Sequence, residues 1–356
     1  MSSSASASDP TASGPGSRGV PVDGPLSAWL TEHLGDPGPF VLDRLSGGNS
    51  NETLLLRSPT ARRILRRPPH DAIDPSAHDM AREHTLLTAL AQTDVPAPAP
   101  LALIDDPAVV PAPALVMEAA EGHALLWDLP GDRVADAATL TGIGEAVMDA
   151  LGALHRADWR AAGLDGFGRP DGFLDRQVGR WTRQLDRYRV RELPWHAEIA
   201  SWLAAHQPAD GEPGILHGDF HLDNCLVTLG EPPAVAAIID WEMATIGDPL
   251  LDVGLFLGFW GDERPATPAM PKVQAVTRGA GAPGRAVLAA RYEEASGRSL
   301  EHLDWYMTLA FWKLATIVEG AYAQFLAGAL TTPYARDLEH DVPRLLEEAA
   351  TFAGLR

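Results

Sequence analysis

The chain reads as an α+β protein, rich in strands at first and mainly helical afterwards. Three observations predict this. Short apolar runs at 40–45, 53–57, 63–67 and 115–118 alternate at strand period and are separated by Gly- or Pro-containing stretches. Residues 140–155, 285–296 and 303–326 instead carry apolar side chains at helical spacing. Between these blocks lies a polar stretch, His217-Gly218-Asp219-Phe220-His221-Leu222-Asp223-Asn224, followed by an apolar run that ends at Asp240. The expected division is a disordered tail at 1–24, a first lobe at 25–119 and a second at 120–356.

Composition narrows the function classes. At 356 residues and 46% hydrophobic content, one large domain or two lobes sharing a cleft can bury a core. No run of roughly 18 apolar residues occurs, so no membrane span is expected. Residues 1–24 are rich in Ser, Ala, Gly and Pro and lack an apolar signal-peptide segment. A single cysteine, Cys225, rules out an internal disulfide framework and fits a cytoplasmic protein. It falls on a run that reads as a buried strand, hence structural. The net charge of −20 argues against a nucleic-acid partner. It could draw a cationic substrate by long-range attraction, although solubility is the plainer explanation.

Taken in order, residues 26–30 read as helix and 40–45 as strand. Ser46-Gly47-Gly48-Asn49-Ser50-Asn51 is a Gly-rich turn between two strands, and small residues there let backbone N–H groups approach an anion. A plain hairpin turn would look the same. In the strand Arg63-Ile64-Leu65-Arg66-Arg67, Ile64 and Arg66 share a face. Glu83 lies on a helix at 80–87. Leu115-Val116-Met117-Glu118 is a strand, and Ala119-Ala120-Glu121-Gly122 breaks it. His155 ends the helix at 140–155 as a structural cap. Arg176, Arg180 and Arg183 recur at helical spacing and read as a solvated face. Asp248-Pro249 opens a helix, with Asp as N-cap and Pro at the first position. The Pro- and Gly-rich stretch 260–282 could cover a substrate. The aromatic residues Trp305, Tyr306, Phe311, Trp312, Tyr322 and Phe325 read as core.

The polar stretch carries the chemistry. Gly214-Ile215-Leu216 enters it. Cys225-Leu226-Val227 and the run 234–239 read as two strands joined by the turn Gly230-Glu231-Pro232-Pro233. That hairpin returns Asp240 to the loop bearing Asp219 and Asn224. A single Asp here would be an ordinary turn residue; the joint pattern of His, Gly, Asp, Asn and strand-terminal Asp is the layout of a phosphoryl-transfer site. One carboxylate orients the attacking hydroxyl, and an amide oxygen with a second carboxylate holds Mg²⁺ against nucleotide phosphates.

These motifs resemble the aminoglycoside phosphotransferase and choline kinase superfamily, whose members have a two-lobed protein-kinase-like fold, an antiparallel sheet lobe followed by a mainly helical one. The motif His-Gly-Asp-x-x-x-x-Asn followed by Ile-Asp-Trp-Glu carries the resemblance, which spans about residues 40–326. It implies Asp219 as catalytic base, Asn224 and Asp240 as Mg²⁺ ligands, and Asp252 as the buried brace of the loop. It implies that the first lobe binds nucleotide. Ser46, Gly47, Gly48, Asn49 and Ser50 would cover its phosphates, and Arg66 or Arg67 would grip them where the wider family has Lys. Glu83 would pair with that cation, and the backbone at Glu118 and Ala120 would meet the adenine. Leu45-Ser46-Gly47-Gly48, Leu65-Arg66-Arg67-Pro68-Pro69, the stretch 167–178 and the stretch 240–249 resemble a narrower subgroup, similar to the kinase-like region fused to some acyl-CoA dehydrogenases. That branch is associated with phosphorylating 4-hydroxyacyl-CoA.

The expected activity is therefore transfer of the γ-phosphate of ATP, with Mg²⁺, to a hydroxyl of a small molecule, with hydroxyacyl-CoA as one candidate acceptor. An aminoglycoside or other antibiotic acceptor, and a nucleotide-binding pseudokinase, are the alternatives. Neither nucleic acid nor membrane is an expected partner; the sequence leaves the oligomeric state open.

Overall fold

Strand alternation in the first third of the chain builds a single sheet. The computed structural model describes residues 19–45, 51–69, 79–261, 263–279 and 281–356. Strands β1 (Val20–Val22), β2 (Phe40–Arg44), β3 (Glu52–Arg57), β4 (Arg62–Arg67), β5 (Pro100–Ile104) and β6 (Ala114–Glu118) pair antiparallel in the order β1-β2-β3-β4-β6-β5. Period two sorts their side chains. Leu54, Leu56, Leu65 and Val116 pack on one face with Leu30 and Trp29 of helix α1 (Gly24–Leu34). Leu115, Met117 and Ile64 face the other way, against Leu86, Leu87 and Leu90 of helix α2 (Met80–Leu90).

Two expectations change here. The end of the expected tail at 1–24 is ordered, because Val20↔Leu42 and Val22↔Phe40 register β1 on the sheet edge, with Val22 buried; residues 1–18 lie outside the described residues. Three residues are too few for alternation to be read from sequence. Strand β5 was also not foreseen, since Pro100 and Ala102 dilute its pattern and a register shift interrupts its pairing.

The second lobe begins with strand β7 (His123–Ala124), which joins β9 (Cys225–Thr228) and β10 (Ala234–Ile238) in the order β10-β9-β7. Strands β8 (Gly214–Leu216) and β11 (Thr245–Gly247) form a second small sheet. Around them pack α3 (Ala137–Arg156), α4 (Gln177–Leu185), α5 (His196–Ala205), α6 (Leu250–Phe259), α7 (Arg285–Ser296), α8 (Leu303–Leu326) and α9 (Pro333–Phe352). Helix α6 is buried almost all round. Its Gly254 and Gly258 admit α8: a Cβ at Gly254 would lie 2.6 Å from the Tyr306 carbonyl carbon, and one at Gly258 2.3 Å from the Phe311 ring. Helix α6 starts at Leu250, one residue later than the Asp248-Pro249 signal suggests, yet Asp248 Oδ1 still accepts from Leu250 N at 3.1 Å. Trp305, Tyr306, Phe311, Trp312 and Tyr322 are buried in the core that α8 shares with α6 and α9. Helix α9 was missed although its start is marked: Pro333 occupies the first turn, and Thr332 caps it by accepting from Ala335 N.

Candidate active site

The loop after β8 is held by one buried carboxylate. Asp252, in the first turn of α6, accepts from His217 N at 2.6 Å and from Gly218 N at 2.9 Å. His217 Nε2 donates to Ile239 O at 2.8 Å, which leaves its Nδ1 to accept from Asp219 N at 3.3 Å. Gly218 has φ +86, and a Cβ there would lie 2.5 Å from Met243 O, so this position needs glycine. His155 is no helix cap. It is buried, its Nδ1 lies 2.7 Å from the Tyr292 hydroxyl, and its Nε2 is 3.5 Å from Asp252 Oδ2. Burial lowers its pKa and favours the neutral ring.

Asp219, Asn224 and Asp240 line one cleft of about 730 Å³ between the lobes. The β9–β10 hairpin brings them together: Ile239 N donates to Asn224 O at 2.9 Å, setting Asp240 beside the loop in a left-handed backbone conformation. Asn224 Nδ2 donates to Asp219 O at 2.9 Å. Burial by itself would raise the Asp219 pKa, but His221, His217 and Lys313 outweigh it and hold the carboxyl below the ordinary carboxylate range. His221 Nε2 is 3.5 Å from Asp219 Oδ2 and its Nδ1 is 3.8 Å from Asp223 Oδ2. Burial disfavours its charge; Asp219, Asp223 and Asp240 together raise its pKa.

Strand period separates the two arginines left open by the sequence. Arg66 faces the cleft, donating from Nη1 to Glu83 Oε1 at 2.6 Å and from Nη2 to Asp240 Oδ1 at 2.8 Å. Arg67 points to the other face and pairs with Glu52 at 2.9 Å. Glu83 is nearly inaccessible, and burial raises its pKa against the pull of Arg66. Glu118 and Ala120 also line the cleft. The Glu118 N–H is taken by Ala99 O at 2.9 Å, so a base cannot use that donor. Ser46, Gly47, Gly48, Asn49 and Ser50 lie outside the described residues. Their neighbours Leu45 and Asn51 line the cleft, and Asn51 Nδ2 reaches across to Glu242 Oε2 at 3.0 Å.

Beyond Asp219 the cleft continues into an apolar arm walled by Leu255, Phe259, Met270, Leu314, Ile317 and Val318. Stretch 260–282 supplies Met270 and Val273 to this wall. Gln274 pins it to the loop: its Oε1 accepts from Leu222 N at 2.9 Å, and its backbone N donates to Asp223 Oδ1 at 3.2 Å. Sequence reasoning assigned no role to Gln274, His221 or Lys313. Only His221 carried a signal, as a polar residue inside the motif. Cys225 is buried, and burial pushes its thiol pKa up, as expected of a structural cysteine. Arg176, Arg180 and Arg183 are exposed.

The donor set at Asn224 and Asp240 suits Mg²⁺. Both offer hard oxygens, and two protein ligands suffice for an ion that phosphates also hold. The Arg66 guanidinium on Asp240 Oδ1 shows that this carboxylate already serves a cation.

A sheet lobe, a helical lobe and a braced Asp–Asn–Asp cleft between them define a kinase-like phosphotransferase. The chain belongs to the phosphotransferase enzyme family, whose sequence pattern matches residues 41–290. Mouse acyl-CoA dehydrogenase family member 10 is 30% identical over 95% of this chain, which spans 32% of that relative's length. A solved structure from Ralstonia eutropha JMP134, assigned to the aminoglycoside phosphotransferases, is 29% identical with a TM-score of 0.75, covering 92% of this chain and 97% of that one. Choline kinase from Cryptosporidium parvum shares the fold at 12% identity, with a TM-score of 0.58 and 92% of each chain covered. No helix among the described residues is long and apolar enough to cross a membrane.

Proposed function

We propose that the protein is a cytoplasmic enzyme that transfers the γ-phosphoryl group of ATP to the hydroxyl of a small acyl-bearing molecule, with hydroxyacyl-CoA as the leading acceptor. One observation carries the reading: Asp219, Asn224 and Asp240 share a cleft that has the Arg66–Glu83 pair at one end and an apolar arm at the other. Nucleotide would lie over the first lobe, its base against the backbone at Glu118 and Ala120. Ser46–Ser50 would cover its phosphates and Arg66, fixed by Glu83, would grip them. Held by Asn224 and Asp240, Mg²⁺ would neutralise charge on the β- and γ-phosphate oxygens. Asp219 aligns the acceptor hydroxyl. It takes the hydroxyl proton as the new P–O bond forms, in the manner of a loose transition state in which that proton leaves late. Positioning and electrostatics then supply most of the rate.

The relatives' acyl-CoA dehydrogenase names and the apolar arm both support an acyl acceptor. The net charge of −20 favours a cationic antibiotic instead. Lys313 in the arm and the apolar walls oppose it. A nucleotide-consumption assay with Mg²⁺ across hydroxyacyl-CoAs, amino sugars and aminoglycosides tests the reading. Hydroxyacyl-CoA should be turned over, and Asp219→Asn should lower turnover by about 10³-fold or more while leaving nucleotide binding intact. Full activity in that variant would remove Asp219 from the reaction.

A further inference from the structure

Lys313 is a charged cleft residue that makes no contact in the reaction above beyond the pull of its charge on Asp219. It projects from the middle of α8 into the apolar arm, on the wall that carries Ala310, Leu314 and Ile317. Among the described residues its Nζ makes one long hydrogen bond, 3.3 Å to Gly218 O, and lies 5.4 Å from the centre of the Trp181 ring. An ammonium has three N–H donors, so the remaining ones are unspent. Burial lowers its pKa, Asp252 and Asp219 pull it back up, and Arg180 adds like charge nearby. The walls that α6, α8 and the 260–282 stretch give to this arm contain, among the described residues, a single carboxylate, Asp252. Both of its oxygens are already taken by the His217 and Gly218 N–H groups. Lys313 is thus the one cation among the described residues of these walls, with N–H donors still to spend, while the neighbouring carboxylate Asp252 has its oxygens engaged by the loop.

We propose that Lys313 determines acceptor specificity: its ammonium binds a carbonyl or carboxylate oxygen of an apolar-chain hydroxy compound, sets the nearby hydroxyl against Asp219, and rejects compounds that carry an amine there. This rests on the phosphotransfer reading for its place in the reaction, but its binding test does not need turnover. A half-buried cation beside apolar walls attracts an oxygen acceptor and repels a second cation with less screening than in open water.

The test is calorimetric titration of the full chain with 4-hydroxydecanoate, with its N-acetylcysteamine thioester, and with a ten-carbon amino alcohol. Wild type should bind at least one of the two carbonyl compounds tenfold or more tighter than the amino alcohol. Preference for the carboxylate marks an anionic acceptor; equal binding of the thioester marks an acyl thioester. Lys313→Met should lose that tenfold, and Lys313→Glu should favour the amine. Nucleotide affinity should be unchanged in both variants, which also reports that they fold. Absent or indiscriminate binding by wild type overturns the proposal, as does a retained preference in Lys313→Met. A lowered kcat with unaltered acceptor binding would reduce Lys313 to a support for Gly218 and also overturn it. If the preference holds but no acceptor is phosphorylated with ATP and Mg²⁺, the phosphotransfer reading fails and the binding role of Lys313 stands.

Discussion

Replacing Asp252 by Asn tests the whole construction of the catalytic loop. The carboxylate accepts two backbone N–H groups, at 2.6 and 2.9 Å, through different oxygens. An amide in the same place has only one oxygen, so whichever way it is turned its NH₂ group confronts a buried N–H donor. The variant loses one charge-assisted hydrogen bond and strands a donor, for a total of about 3 kcal/mol. The loop must then move, and a shift of ~1 Å at Asp219 costs about 10²-fold in turnover. Denaturant unfolding followed by tryptophan fluorescence reads the first number, and nucleotide consumption with acceptor reads the second. Asp248→Asn is the control. Asp248 also caps α6 and accepts from the Tyr306 hydroxyl at 2.7 Å, but it holds α8 and not the loop. That control should cost about 1 kcal/mol in stability and little turnover. If Asp252→Asn unfolds within ~0.5 kcal/mol of wild type and turns over within about twofold, the brace argument is wrong.

Glu83→Gln removes the charge that holds Arg66 from behind and should raise the nucleotide KM about tenfold with a smaller change in acceptor KM; steady-state kinetics in both substrates reads this. Gly254→Ala drives a Cβ to within 2.6 Å of the α8 backbone and should cost roughly 1–3 kcal/mol by denaturant melt, because two packed helices must separate. His196 is held near pKa 4 instead of 6.5, chiefly by burial. The unfolded chain therefore binds the extra proton first as pH falls. The stability that neutral His196 supplies is complete above about pH 6.5 and is lost towards pH 4, up to ~3 kcal/mol. His196→Gln should flatten that part of the stability–pH curve, and an unchanged slope would show that His196 is not the group responsible.

The sequence by itself determined the two-lobed fold and the motif loop. Both rest on local rules: period-two runs make strands, helical spacing makes helices, and the order His-Gly-Asp…Asn, hairpin, Asp is written along the chain. Local sequence placed Asp252 in the first turn after Asp248-Pro249, and the family resemblance implied its role as a brace. Short or pattern-poor elements such as β1 and β5 escaped, since three residues or a Pro-diluted run carry too little alternation to read. Only tertiary structure decided between Arg66 and Arg67. They are neighbours in sequence and opposite in space, and Glu83 and Asp240 converge on one of them from distant segments. The same holds for Lys313 and Gln274. Each reaches the loop from a helix or connection far along the chain, where local sequence shows only an ordinary polar residue. Acceptor choice belongs to that second group, because the arm is assembled from side chains of α6, α8 and the 260–282 stretch whose apolar character is indistinguishable from core until the packing leaves a space between them.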